Sequence, residues 1–266
     1  MQFRASSLFS FSSSLQVYIR VVVAVILRET KTRFGKNKLG YLWALIEPSS
    51  YIAILIFIRH AMHASIPFGE SLVLFILTGV LVYRIFVSVA GRTMGAISSN
   101  QALLTYPLVK PLDTILARLI LETLTMCVIL FVFFSLLNIY SNKRMIHFPD
   151  IFLEAILALF LLSAGIGTVN AVISLLFPFW ERIWGLVKFP ILFLSGVFYV
   201  PRSMPPFIQS ILSWNPVMHC VEWLRSGSYL DYNPLLDKSY VIWFGSCTLV
   251  IGLALERLFR NKLVRS

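Results

Sequence analysis

The sequence predicts an all-α integral membrane protein with about six transmembrane helices. Three observations carry that expectation. Apolar residues make up 58% of the 266 residues and charged residues only 13%, against about 25% charged in an ordinary soluble domain. The apolar residues fall in runs long enough to cross a bilayer, roughly 20 residues each. The 23 Lys and Arg outnumber the 12 Asp and Glu, and they gather beside those runs, as membrane topology requires. In a soluble protein such an excess would point to nucleic acid; here its placement argues against a nucleic-acid partner.

Along the chain, residues 1–14 are rich in Ser and Phe and read as a poorly ordered lead. Leu15, Tyr18, Ile19, Val22 and Ile26 then recur at helical spacing, with Arg20, Ala24, Arg28 and Lys31 on the other face. Arg20 interrupts this segment and no small-residue cleavage site follows, so a signal peptide fits poorly. An amphipathic helix lying on the cytoplasmic leaflet fits better. In RFGKNKLGYLWALIEP, residues 33–48, Gly35 and Gly40 allow a sharp turn beside Lys36 and Lys38. Trp43 sits where an interfacial ring would sit, and Glu47-Pro48 falls inside the first apolar run.

The spans read as Tyr41–Ile58, Ser71–Ala90, Ile115–Tyr140, Ile151–Leu176, Trp184–Val200 and Tyr240–Leu255. With the N-terminus inside, seventeen basic residues fall on the inner side and six on the outer, Arg84 among the former and Arg225 among the latter. Both termini are then cytoplasmic, in keeping with an even number of spans. Residues 201–237 hold apolar pieces too short to span, broken by Pro205-Pro206 and Asn215-Pro216. They read either as re-entrant elements or as a plain periplasmic loop. The implied organisation is a cytoplasmic segment with the interface helix (1–40), a transmembrane domain (41–259) and a cytoplasmic tail (260–266).

The chemistry is notable for what is missing. The sequence has no G-x-x-x-x-G-K-[ST] loop for nucleotide phosphates and no H-E-x-x-H. Cys127, Cys220 and Cys247 lack metal or redox spacing, and no residue set reads as a metal site. No catalytic residue is assigned and no cofactor is expected on this chain. Glu47, Glu122 and Glu154 are the carboxylates an ion-coupled carrier would use, but each lies near a span end and no central pair appears.

Two faces remain as candidate surfaces. Trp184, Lys188, Ile191, Ser195, Phe198 and Tyr199 follow helical spacing in the fifth span, opposite Val187 and Leu194. Lys188 there would cost roughly 2.5–3.5 kcal/mol at the bilayer centre unless it snorkels. Trp43, Glu47, Ser50, Tyr51 and Phe57 form a comparable face in the first span, which ends at Arg59. Aromatic faces can stack on sugar rings and basic groups attract acidic polymers, although such stripes also serve simple packing. On the inner side, Ile97, Gln101 and Leu104 recur at near-helical spacing before Tyr106-Pro107, which suits a short helix docking on a soluble partner as well as a solvated connector.

Phe-Gly beside basic residues, followed by Leu-Gly-Tyr-Leu-Trp-Ala-Leu-Ile-Glu-Pro, resembles the start of the first span in ABC-2 type exporter permeases. It is most similar to their capsular polysaccharide export subfamily. TYPLVKPLDTILAR, residues 105–118, resembles that family's loop between spans two and three. The resemblance implies the ABC-2 (type V exporter) fold, an inner-membrane location, and two re-entrant periplasmic helices before the last span. It implies a homodimer working with two separate ABC ATPase subunits that use ATP and Mg²⁺. The cargo it implies is lipid-linked capsular polysaccharide, passed on to periplasmic co-polymerase and outer-membrane export proteins. It makes Arg28, Lys31, Arg33, Ile97, Gln101, Leu104 and Tyr106 candidates for coupling to the ATPase. Alternatives are another ABC-2 cargo (O-antigen, teichoic acid or a drug) or, further off, an ion-coupled carrier or a structural membrane subunit.

Overall fold

The computed structural model describes residues 3–34, 39–63, 65–106, 108–141 and 144–265, with side chains at 16, 18–32 and from 45 to 263 within those ranges. Among them the regular structure is all helical. Nine α-helices follow in order: α1 Phe3–Phe34, α2 Leu39–Ala61, α3 Leu72–Met94, α4 Pro111–Ser141, α5 Pro149–Leu176, α6 Trp180–Leu194, α7 Pro206–Leu212, α8 Pro216–Ser228 and α9 Lys238–Arg265. A 3-10 turn, Ser98–Leu103, interrupts the loop between α3 and α4. The Gly35–Lys38 turn lies outside the described residues, and Gly40 belongs to α2. Helix α1 already begins at Phe3, so the expected disordered lead is helical from there.

Helices α3, α4, α5 and α9 are each long and apolar enough to cross a membrane. Helix α2 has 23 residues, about 34 Å at 1.5 Å per residue, which is enough for the hydrocarbon core. Helix α6 corrects the expected fifth span. It has only 15 residues, Trp180–Leu194, about 22 Å, and stops at a turn where Gly196 takes φ +67°.

The core is built around α3 and α5. Leu74, Phe75, Ile76, Leu77, Val80 and Leu81 of α3 are all buried, whereas α4 leaves Leu124, Val128, Phe131 and Ile139 exposed for lipid. Helices α5 and α9 pack against one another along their length. Small residues permit that approach: a Cβ on Gly165 would lie 2.7 Å from the Gly245 carbonyl oxygen, and one on Gly252 2.9 Å from Thr168. Between membrane helices, close van der Waals packing replaces the hydrophobic drive that lipid removes.

The bundle has two distinct ends. The basic end carries the C-terminal half of α1, the α3–α4 loop, the start of α6 and the end of α9. The cap end carries residues 62–63, 65–71, 144–148 and 195–237.

Candidate functional site

At the basic end, α1 presents three faces. Val22, Val25 and Glu29 are buried, and the two valines pack with Ala117 of α4. Ile19, Val23 and Leu27 are exposed apolar residues one helical turn apart. Arg20, Ala24, Arg28 and Lys31 are exposed on the polar side. The sequence placed Val22 on the lipid face; it belongs to the protein face.

Glu29 joins three elements. Its carboxylate accepts from Asn100 Nδ2 at 2.5 Å and pairs with Arg118 at 2.6 Å. Arg118 Nη2 donates to Ser99 Oγ at 2.7 Å, and Arg28 donates to Asn100 Oδ1 at 3.3 Å. Helix α1, the 3-10 turn and α4 are therefore fastened at one point. Leaving a buried carboxylate without its partner would cost several kcal/mol, so the joint is strongly specified.

That geometry corrects part of the docking face. Ile97 and Leu104 are 1% and 5% exposed and belong to the core, so they cannot seat in a groove on a partner. Gln101 is half-buried. The exposed large apolar residues of this loop are Tyr106 and Leu108; Arg28 and Lys31 are exposed on α1 at the same end of the bundle. The side chains of Arg33 and Trp43 lie outside the described residues.

The three carboxylates considered for ion coupling all have cationic neighbours. Glu47 pairs with Arg84, Glu122 approaches Arg92 at 3.7 Å, and Glu154 pairs with Lys238 at 2.8 Å. Arg84, counted with the inner-side charges, is the intramembrane partner of Glu47 midway along α3.

At the cap end, residues 201–237 form two short helices, α7 and α8, as re-entrant elements would. The turn after α6 reaches deep beside α3. A Cβ on Gly79 would meet Val197 Cα at 2.9 Å, and Gly79 lies seven residues, about 10 Å, into α3. Irregular backbone at that depth needs internal donors. Arg225 of α8, wholly buried, supplies them. Its guanidinium donates to the carbonyls of Gly196 at 2.8 Å, Val197 at 3.2 Å, Tyr199 at 3.3 Å and Phe75 at 3.4 Å. It also lies 3.8 Å from the centre of the Phe75 ring. Glu222, one turn earlier, stands 3.5 Å from Arg225 and accepts from the Tyr232 hydroxyl at 2.5 Å and the Leu235 amide at 3.0 Å.

His219 closes the same knot. Its Nε2–H donates to the Ser213 carbonyl and its Nδ1 accepts from the Asp237 amide, which fixes the neutral tautomer. Arg225 was counted from sequence as an outer loop charge; the structure buries it completely. Burial pushes the phenols of Tyr229 and Tyr232 upward, opposed by Arg225, so both hydroxyls stay protonated.

The sequence-predicted conduit face is not one helix stripe. Trp184 is buried against Phe86, with ring centres 6.1 Å apart. Lys188 is half-exposed, and its carbonyl accepts from the Tyr83 hydroxyl at 3.0 Å. Ser195 is buried, donates to Ile191 and accepts from Asn215 Nδ2. Phe198 and Tyr199 lie beyond the Gly196 turn, and Tyr199 donates to the Phe193 carbonyl at 2.9 Å. Val187 and Leu194, on the opposite face, are exposed on this chain. In α2, Ser50 is exposed and bonded to Ile46, Tyr51 is half-buried and Phe57 is exposed. Arg59 donates to the carbonyls of Phe198 at 2.8 Å and Ser65 at 2.9 Å. The structure thus gathers Arg59, Phe198 and Tyr199 at the cap end and leaves Trp184 and Ser195 facing protein.

Comparison with known proteins gives the family. Residues 6–229 match the ABC-2 type transporter family. The chain belongs to that family. It is 36% identical over 259 residues to the polysialic acid transport protein KpsM of Escherichia coli, covering 96% of this chain and 99% of that one. It is 31% identical over 255 residues to the capsule polysaccharide export inner-membrane protein CtrC of Neisseria meningitidis serogroup B, covering 94% and 95%. It is 27% identical over 251 residues to the protein of the same description, BexB, of Haemophilus influenzae, again covering 94% and 95%. Glu29 and Arg225, which organise the two ends of the bundle, are the residues that sequence reading missed. A carboxylate at the i+4 position from Val25, inside the apolar face of α1, was the available hint for the former.

Proposed function

We propose that this chain is the inner-membrane permease subunit of an ATP-driven exporter of lipid-linked capsular polysaccharide. The near full-length similarity to three permeases named for capsule or polysialic acid transport carries this reading. The basic end faces the cytoplasm with both termini, and the cap end faces the periplasm. Two copies form the conduit and bind two copies of a separate ABC ATPase, which uses ATP and Mg²⁺. Closure of that ATPase pushes on Tyr106, Leu108, Arg28 and Lys31, and the Glu29 joint carries the push into α1 and α4 together. Periplasmic and outer-membrane export proteins receive the polymer. The pairing of Glu47, Glu122 and Glu154 with cations favours an external energy source over ion coupling.

The test is genetic and biochemical. Deleting the gene should strip the capsule from the cell surface and trap polymer inside, with complementation restoring both. The purified chain should hydrolyse no ATP until its partner subunit is added. Robust hydrolysis by the chain alone, or an intact capsule in the deletion strain, would contradict the proposal.

A further inference from the structure

Glu47 of α2, Arg84 of α3 and Lys188 of α6 stand at one level of the bundle. Glu47 pairs with Arg84, and the hydroxyl of Tyr83, next to Arg84 in sequence, donates to the Lys188 carbonyl at 3.0 Å. Arg84 lies twelve residues into α3, about 18 Å from the cap end of that helix and about 15 Å from its other end at Met94. Lys188 lies eight residues, about 12 Å, into α6. The level is therefore inside the membrane.

These groups are nevertheless open on this chain. The side chains of Arg84 and Glu47 are 22% and 43% exposed, and Lys188 is half-exposed. Ser50, three residues along α2 from Glu47, is exposed on the same face. Ionisable residues inside spans are costly against hydrocarbon, so they face protein or water-filled space, where they mark the path of a substrate. Behind the pair, between α2, α3 and α4, only about 10 Å³ remains, the size of a single water. The pair cannot withdraw into the bundle, and its exchangeable side is the exposed one.

The charges of this face do not cancel. Glu47 neutralises Arg84, while none of the ion pairs among the described residues involves Lys188. One net positive charge per chain remains, and basic groups lining a passage select anions. Arg84 meets Glu47 through Nη2, and its planar fork of five N–H donors suits a second carboxylate.

We infer that the Arg84 guanidinium binds the acidic groups of the polymer in transit, with Glu47 as the built-in counter-ion that each passing carboxylate displaces. The inference rests on the export reading above and adds that the cargo is acidic.

The test reads the charge of this face in the complete permease–ATPase complex in membrane vesicles. Cys127→Ser and Cys247→Ser remove the two exposed cysteines, and Cys220 is buried. Ser50→Cys then reports one site, labelled with two thiosulfonate reagents of similar size, a sulfonate and a quaternary ammonium. Both should react, the anionic reagent faster by roughly three- to tenfold. Glu47→Gln, which frees Arg84, should raise that ratio. Arg84→Gln should bring it close to one, because Lys188 and Glu47 then cancel, and Arg84→Lys should restore it. A pair that is merely structural would give losses of the same sign from both partners. Trigalacturonic acid, a carboxylated trisaccharide, should slow the labelling, and at lower concentration in Glu47→Gln; neutral maltotriose should not. No reaction at Ser50→Cys, one ratio in all variants, or no protection by trigalacturonic acid would overturn the inference. Deletion that leaves the capsule intact would instead sink the underlying export reading.

Discussion

The two ends of the bundle are each organised by one arginine, and they use it differently. At the basic end Arg118 pairs with Glu29, a carboxylate on a separate helix, and both reach the 3-10 turn through Ser99 and Asn100. At the cap end Arg225 binds backbone carbonyls of a turn sunk beside α3. The first arrangement joins elements through side chains, so it can pass a displacement from one to another. The second replaces water for irregular backbone at membrane depth, so it holds a shape. An exporter needs both: a joint that moves and a cap that keeps its form.

The largest effect should come from the cap. Arg225→Met takes the guanidinium donor from four carbonyls and its cation from Glu222, a loss of about 3–5 kcal/mol. Thermal unfolding of the detergent-solubilised chain should show it as a large drop in Tm or as failure to accumulate. Arg225→Lys, which reaches fewer carbonyls, should fall between. Wild-type stability in the methionine variant would show that the buried guanidinium is not the support described here.

Next comes the depth of the turn itself. Gly79→Ala puts a Cβ 2.9 Å from Val197 Cα, where backbone must shift. Overpacking of this kind costs about 1–3 kcal/mol. Thermal stability should fall by that amount, and export with it. A neutral outcome would place the turn further from α3.

The basic-end joint should lose less stability and more function. A double-mutant cycle on Glu29→Gln and Arg118→Gln should return a coupling energy of about 1–3 kcal/mol. Additive single effects would mean that the pair is not a joint. The smallest effect on stability should come from Tyr106→Ser with Leu108→Ser, within about 0.5 kcal/mol. Recovery of the ATPase subunit in pull-downs from that variant should nevertheless drop; undiminished recovery would remove these residues from the docking surface.

Much of the fold was legible because hydropathy and loop charge are strong signals in a membrane protein. The four long apolar helices, the N-terminal helix and the two short helices after Pro205 all follow from runs and breakers. The site was less legible. Ile97 and Leu104 repeat as a docking face would, but the same spacing serves burial, and they fill the core. The stripe from Trp184 to Tyr199 assumed a helix that continues, whereas the chain turns at Gly196. Arg225 looks like an ordinary loop charge and Arg118 like a charge at a span end, because their partners are backbone carbonyls and a carboxylate far away in sequence. Periodicity reports which residues share a face; only the fold reports what that face meets.

The most direct measurement is on the reconstituted permease–ATPase complex carrying Glu29→Gln. ATP hydrolysis and subunit binding should stay near wild type while polymer export into vesicles falls at least about tenfold, because the push no longer reaches α4 through the joint. Export that keeps pace with hydrolysis in this variant would contradict the account.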